Sequence, residues 1–400
     1  MKTLLLRYLN SYKGLTRPAW MLALIMLINR SGAMVIPFLG VYMTQSLHFT
    51  IRETGTVLSC FGLGAVSGSW LGGWLSDKAG HFVIQLGCLL LCVPVFCILP
   101  ELTQPAHLSA GVFILSLVTE TFRPANTVSI ASYSSPESIT KAFSLNRMAM
   151  NLGFSIGPAL GGFLAAFSYH LLFYGNAVAT GLAGLVFYFF FRNRKGTQER
   201  KKRHDSEQNS HQNRSPWKDT HFLIFTLLCC FYAICFFQLL NTLPLFYRQQ
   251  HHLSDWSIGL ILAYSGFVVF SLEMPLVHLA GNRLSAAAAI VIGTLLCGAS
   301  FSLLVFPGKL LLLYFSMFLL CLSEILAMPF MATVTLKRSS KDTQGAYMGM
   351  NALSFSAAHI LSPFAGTRIV SSFGFDVLWI STGILAVITA AGFLWVMKKL

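Results

Sequence analysis

Arg30, Glu120, Arg123, Arg147, Glu273, His278, Glu324 and His359 each interrupt a long apolar run. An ionisable side chain held in hydrocarbon is costly and marks an ion, proton or substrate pathway. Carboxylates in such places can load and release protons, and guanidiniums can hold anionic groups. Catalytic chemistry is not called for. The chain has no H-E-x-x-H, no G-x-S-x-G with partners, no nucleotide-binding G-x-x-x-x-G-K-[ST] and no Asp-rich cluster. Its nine cysteines (Cys60, Cys88, Cys92, Cys97, Cys229, Cys230, Cys235, Cys297 and Cys321) lie in apolar runs without C-x-x-C or Cys/His spacing. They read as small buried hydrophobes. No enzyme, metal site or cofactor is expected.

The surroundings of these charges decide the class. Hydrophobic residues make up 55% of the chain and charged ones 10%, against roughly 25% charged in a soluble domain. Such a surface belongs in a bilayer. A net charge of +14 could suggest nucleic acid, but nine of the 28 Lys and Arg lie between Arg192 and Lys218 and most others at the ends of apolar runs, as membrane topology requires. Arg7, Lys13 and Arg17 break up the N-terminus, which does not read as a cleavable signal peptide.

Apolar runs of about 20 residues predict twelve spans, near 19–44, 54–76, 82–100, 108–131, 142–167, 170–191, 221–246, 255–279, 285–306, 308–334, 344–370 and 374–397. Outside the central segment, one face carries Lys2, Arg7, Lys13, Arg17, Lys78, Lys141, Arg283, Lys337, Arg338, Lys341, Lys398 and Lys399, and the other only Arg52, Arg248, Lys309 and Arg368. Both termini are therefore expected in the cytoplasm, with the protein multi-pass in the inner membrane. Residues 192–220 are polar, basic and without apolar periodicity, a cytoplasmic linker between halves 1–191 and 221–400.

The halves repeat. His48 to Gly55 matches His252 to Gly259 at an offset of 204, and Asn146, Gly157-Pro158 and Gly161 match Asn351, Ser362-Pro363 and Gly366 at 205. The fold class read from this is an all-α integral membrane protein, twelve helices in two parallel pseudo-symmetric six-helix halves. Transporters of that architecture bind substrate between the halves and work by alternating access.

Two motifs carry a family resemblance across essentially the whole chain. Gly73-Trp-Leu-Ser-Asp77-Lys78-Ala-Gly80, between spans two and three, resembles the major facilitator signature G-x-L-x-D-R/K-x-G, with His81 and Phe82 replacing two usual basic residues. Gly153-Phe-Ser-Ile-Gly157-Pro158-Ala-Leu-Gly161-Gly162, in span five, resembles the G-x-x-x-G-P-x-x-G-G motif of the drug:proton antiporters of that superfamily. The first implies a latch between the halves through Asp77 and Lys78. The second implies a packing face between the halves that governs which way the cavity opens, its glycines permitting close approach and Pro158 a bend.

In the resembled fold, spans one, four, seven and ten line the central cavity. That places Arg30, Arg123, Gln238 and Asn241 as substrate-facing groups and Glu120 and Glu324 as proton-coupling groups. Arg147, Glu273 and His278 sit near helix ends, where they can snorkel. His359, the repeat mate of Phe154, reads equally as a packed histidine or a proton site. Glu120 and Arg123 are spaced to pair on their own helix. Glu324 is the repeat mate of Glu120, but Ala327 stands where Arg123 would. Burial without a local cation makes the neutral carboxyl cheap, as a proton carrier needs. Glu324 could instead pair with Arg30 or Arg123 across the cavity.

The expected function is proton-coupled transport of small organic molecules, as multidrug-type efflux by an antiporter. Symport of peptides, siderophores or other polar metabolites is the alternative, and a membrane ligand receptor the alternative outside transport. The expected partners are the substrate, protons and the bilayer, with the chain a monomer. If Asp77 latches the outward-facing state, Asp77→Asn lowers transport at unchanged expression and raises thiol-probe access to cavity positions from the cytoplasm. Unchanged transport and access would remove Asp77 from the mechanism.

Overall fold

A computed structural model describes residues 15–134, 139–193, 216–339 and 343–400, and these are almost entirely helical. Several helices begin at a polar side chain that takes up a free backbone N–H, as Thr16, Ser254 and Ser285 do. Thr50 and Glu53 close a reciprocal capping box. Helices of 29 residues such as Pro105–Tyr133 and Leu310–Arg338 reach about 43 Å, enough for a hydrocarbon core of about 30 Å.

Among the described residues, ten helical segments are long and apolar enough to cross a membrane. Two more, Ile51–Ala79 and Gln344–Phe373, are as long but less apolar, and they complete a set of twelve. Their positions explain the difference. They are spans two and eleven, packed on each other, with a Cβ on Gly62 falling 2.7 Å from the His359 backbone and Ser59 donating to the Ile360 carbonyl. Small and polar residues belong on such a face.

The helix pairings repeat between the halves. Span one packs on five and six, two on four, and three on four and six; seven packs on eleven and twelve, eight on ten, and nine on ten and twelve. Across the halves, span five packs on eight and span two on eleven. The repeat extends to the backbone: His48 and His252 both turn the chain through positive φ, at 56° and 50°, immediately before spans two and eight. Pro124 and Pro329 interrupt spans four and ten at equivalent points, as Pro158 and Pro363 do spans five and eleven.

Spans one and seven, expected as continuous helices, are broken at corresponding depths. Span one is Arg17–Ser31 followed by Val35–Gln45. Span seven is Thr220–Phe236, a turn at Gln238–Asn241, and Leu243–Gln249. Pro37 and Pro244, each in the first turn of the outer segment, cannot donate to a continuous helix. At the first break Met34 N–H donates to the Gly32 carbonyl at 2.7 Å and to Asn176 Oδ1 at 3.3 Å, and at the second the Thr242 hydroxyl donates to Gln238 Oε1 at 2.6 Å.

Residues 194–215, most of the segment read as a linker, lie outside the described residues. Its end belongs to the second half, because Asp219 caps span seven through Phe222 N–H. Arg338 from span ten clamps the same carboxylate at 2.8 and 3.3 Å, Tyr347 from span eleven donates at 3.2 Å, and Arg338 reaches the Leu400 carbonyl at 3.3 Å. Burial alone would raise the Asp219 carboxyl, but Arg338, the Phe222 N–H and Tyr347 outweigh it and hold it below the usual carboxylate range. The clamp's contribution is therefore complete above about pH 4 and lost as pH falls through the lower folded value. Asp219→Asn should cost about 1–3 kcal/mol at neutral pH. Thermal unfolding in micelles should show that gap closing in acid, and a gap independent of pH would contradict the assignment.

Candidate functional site

The charges inside the bundle fall into two groups, both about 20 Å or less from the ends of their helices at the terminus-bearing face. In the first, span one places Arg30 one residue before its break, and span four supplies Glu120 and Arg123. Arg123 Nη1 pairs with Glu120 Oε2 at 3.0 Å; Arg123 stays 60% exposed and Glu120 14%. Pro124 has no N–H for the Glu120 carbonyl, so the backbone here is polar as well. Arg30 lies within electrostatic reach of both residues, and its Nε is buried without a hydrogen-bond partner. Two guanidiniums face one carboxylate. A cavity of about 80 Å³ beside them is lined by Asn29, Arg30, Thr119, Glu120, Asn176 and Thr180. One member comes from the other half: His359, on span eleven, stacks on Phe237 at the break in span seven, centroids 3.6 Å apart, within reach of the Glu120 and Arg123 charges.

The second group has the opposite balance. Glu273 on span eight pairs with Arg147 and accepts a hydrogen bond from Asn151 Nδ2 at 2.8 Å. Both partners lie on span five, so the pair crosses from half to half. Glu324 on span ten lies within electrostatic reach of Glu273 and Arg147 and forms no ion pair among the described residues. Arg123 is thus taken by Glu120. Arg147 and Glu273, read from sequence as snorkelling, are instead each other's partner across the halves. The available signal was one unmatched charge on each of two facing interface spans. His278 faces out, beside Asn282.

Gln238 and Asn241 serve the break in span seven. Gln238 is buried, donating to the Ser362 carbonyl at 3.4 Å, and Asn241 donates to Phe237 O and Ser362 Oγ at 2.9 and 3.3 Å. A Cβ on Gly366 would fall 2.5 Å from Gln238 Oε1. Both amides therefore pack toward span eleven. No cluster of three or more His, Cys, Asp or Glu able to hold a metal occurs among the described residues.

At the face opposite the termini the halves are shut. Arg52 donates to Ser371 and Ser372 at 3.0 and 2.9 Å, and Tyr169 to Asp255 at 2.9 Å. A Cβ on Gly162 would lie 2.5 Å from the Asp255 carbonyl. At the terminus-bearing end, spans five and eight separate around a cleft of about 270 Å³, which Arg147 and Glu273 line.

The sequence pattern of the Major Facilitator Superfamily matches residues 19–349. The chain belongs to this superfamily. It is a multi-pass membrane transporter, not an enzyme. It is 26% identical over 378 residues, 92% of the chain and 91% of the relative, to the MFS-type transporter YttB of Bacillus subtilis (strain 168). The quinolone resistance protein NorA of Staphylococcus aureus is 32% identical over 168 residues, 40% of this chain and 41% of NorA. A variant of the nucleoside transporter NupG superposes with a TM-score of 0.81 at 15% identity, covering 96% of this chain and all of that one. The peptide transporter POT does so at 0.79 and 16%, covering 96% and 95%.

Within this major facilitator fold, the span-five glycines face two ways. A Cβ on Gly153 would meet Arg30 Cβ at 2.5 Å, one on Gly157 the Arg30 carbonyl at 3.0 Å, and one on Gly161 Met34 and Phe38 at 3.1 Å, all in span one. Gly162 meets Gly259 of span eight, and Pro158 O would lie 2.4 Å from a Cβ on Gly259. The motif thus serves span one with one face and the other half with the next. At the first signature, Gly80 holds φ +82° and Gly73 meets nothing within 4 Å. Lys78 lies over the Trp74 ring at 4.1 Å. The Asp77 side chain lies outside the described residues.

Gly162→Leu should therefore wedge the halves apart, raising amide exchange in 255–266 by about tenfold while span one is undisturbed. Gly157→Leu should instead press on the Arg30 carbonyl and raise exchange in 28–36. Exchange unchanged in both regions would contradict the two-faced packing.

Proposed function

We propose that this transporter is proton-coupled, working by alternating access in the inner membrane with both termini cytoplasmic, and that it exports small organic molecules as an antiporter of the multidrug type. With the termini placed by the Lys/Arg asymmetry, the closed face is external and the cleft opens to the cytoplasm. The observation that carries proton coupling is the contrast between repeat mates. Glu120 has Arg123 at 3.0 Å, whereas Glu324 stands on span ten without an ion pair among the described residues. A partly buried carboxyl without a fixed counter-ion can be neutralised by a proton and recharged when it meets water. Each proton moving down one pH unit supplies about 1.4 kcal/mol, and about 2.3 kcal/mol more per 100 mV. That suffices for roughly tenfold accumulation of a neutral substrate per proton. The partial similarity to NorA supports efflux.

A second reading is favoured by one feature, the pair of guanidiniums, Arg30 and Arg123, facing the single carboxylate of Glu120. A surplus positive charge suits an anionic or zwitterionic group, as in proton-driven symport of peptides, siderophores or other polar metabolites. Gln238 and Asn241 then shape the cavity indirectly, by holding the bend in span seven.

Proteoliposomes with an imposed pH gradient, screened against cationic drugs, peptides and siderophores, separate the two readings by substrate and by direction. In the same vesicles Glu324→Gln should abolish pH-driven accumulation and keep substrate binding and energy-independent exchange. Accumulation against a gradient with wild-type pH dependence would exclude Glu324 as the coupling site.

A further inference from the structure

The first charge group holds one guanidinium in excess. The charges that reach Glu120 are those of Arg123, Arg30 and His359, whereas Glu324 on span ten reaches Glu273 and Arg147 instead. With the imidazole uncharged, the group sums to one net positive charge. Arg123 already pairs with Glu120 at 3.0 Å, but Arg30 Nε is buried with no hydrogen-bond partner. A charged donor left unpaired in an apolar interior is costly, so the group is complete only with a further acceptor. The cavity of about 80 Å³ that Arg30 and Glu120 line is roughly half the ~150 Å³ that admits a benzene ring. It has room for an anionic headgroup and not for the body of a substrate.

What borders the headgroup cavity is aromatic. Phe61, on span two, lines it directly. From the other half, His359 stacks on Phe237 with centroids 3.6 Å apart, and Phe355, one helical turn before His359, meets Phe237 edge-on at 6.5 Å. Phe61, Phe355 and His359 are each only half-buried, which leaves part of every ring uncovered. Because His359 also lies within reach of the Glu120 and Arg123 charges, the aromatic wall begins where the guanidiniums end. Arg123, 60% exposed, adds a planar cation that itself stacks on π-faces.

We propose that this site takes an aromatic monocarboxylic acid, Arg30 holding the carboxylate and the His359–Phe237 stack, with Phe61 and Phe355, taking the ring. The proposal rests on the surplus-charge reading above and narrows its substrate from any anionic or zwitterionic molecule to planar acids of one negative charge. One carboxylate brings the group to neutrality, and the guanidinium edge offers it two parallel donors. A second carboxylate would leave an uncompensated charge in the interior. A cation on the same ring would meet the existing surplus. An aromatic body gains edge-to-face and stacked contacts beyond the area it buries, which a saturated body of equal size lacks. The charges come from one half and the stack from the other, so the ligand bridges the halves, as substrates of this architecture do.

Calorimetric titration of the purified full chain in detergent at neutral pH tests this without invoking transport, direction or protons. The probes are naphthoate, its primary amide, the saturated decahydronaphthalene carboxylate, naphthalene dicarboxylate and naphthylmethylammonium. Naphthoate should bind about ten- to hundredfold more tightly than its amide, about threefold or more above the saturated acid, and above the dicarboxylate and the ammonium. Arg30→Gln should erase the margin of acid over amide, and His359→Leu the margin of aromatic over saturated acid, each leaving the other margin in place. Should Arg30→Gln fail to fold, Arg123→Gln removes the same surplus from an exposed position and should cut the same margin. Equal binding of naphthoate and its amide, tighter binding of the ammonium, or no binding of any probe would overturn the proposal together with the surplus-charge reading. Equal binding of naphthoate and the saturated acid, or a wild-type aromatic margin in His359→Leu, would overturn the aromatic assignment alone and leave that reading standing.

Discussion

Everything else in this molecule is arranged around backbone meeting backbone between the two halves. Gly162 faces Gly259, Gly266 faces Ser155, Gly55 faces Thr367 and Gly62 faces the His359 backbone, in each case with no room for a further carbon. In lipid no hydrophobic drive pulls helices together, so close packing of small residues and hydrogen bonds must do it. Such contacts are strong only at short range. They hold the outer halves of spans two, five, eight and eleven in register and leave their other ends free to differ between states. The lower hydropathy of spans two and eleven follows directly: large apolar side chains on these faces would keep the halves apart.

That geometry also governs where charge can be tolerated. An unpaired ion in a low-dielectric interior is costly, so Glu120 and Glu273 inside the bundle are each held beside a cation. The two charge groups answer this differently. Glu120 and Arg123 share one helix, so their pairing is indifferent to how the halves sit. Glu273 and Arg147 belong to different halves, so theirs is not. His359 is the reciprocal case, a second-half residue delivered beside first-half charges. Each half therefore places one group beside charges of the other, Glu273 beside Arg147 and His359 beside Glu120 and Arg123.

Much of this was legible in the sequence, for reasons that differ by residue. The spans follow from length and apolarity, and the duplication from residue matches that the structure repeats in its dihedrals, with His48 and His252 both at positive φ. The Glu120–Arg123 pair was readable because i, i+3 spacing is a local property. The Arg147–Glu273 pair was not, because its members are 126 positions apart and each alone resembles an interfacial charge. The breaks in spans one and seven were hidden because hydropathy does not register backbone hydrogen bonding, although Pro37 and Pro244 were there to be weighed. Asp219 looked like part of a polar linker, since its partners Arg338 and Tyr347 come from two other spans.

Span five ties these features into one mechanical element. Its Gly153, Gly157 and Gly161 lie against the part of span one that carries Arg30 and the break, its Pro158 and Gly162 lie against span eight, and its Arg147 and Asn151 hold Glu273. Span five thus touches the Glu273 pair at one end and, through the Arg30 carbonyl under Gly157, the backbone of the first charge group. At Gly157 the contact with span one is to main-chain atoms, the carbonyls of Arg30, Ser31 and Ala33, and cannot be absorbed by a rotamer change. Residues 32–34 lack a continuous helical ladder and are held by short-range bonds instead, Gly32 N–H to Ile28, Ala33 N–H to Arg30 and Met34 N–H to the Gly32 carbonyl and Asn176 Oδ1. The glycines of this motif thus join the seam with span eight to the stretch of span one that carries Arg30.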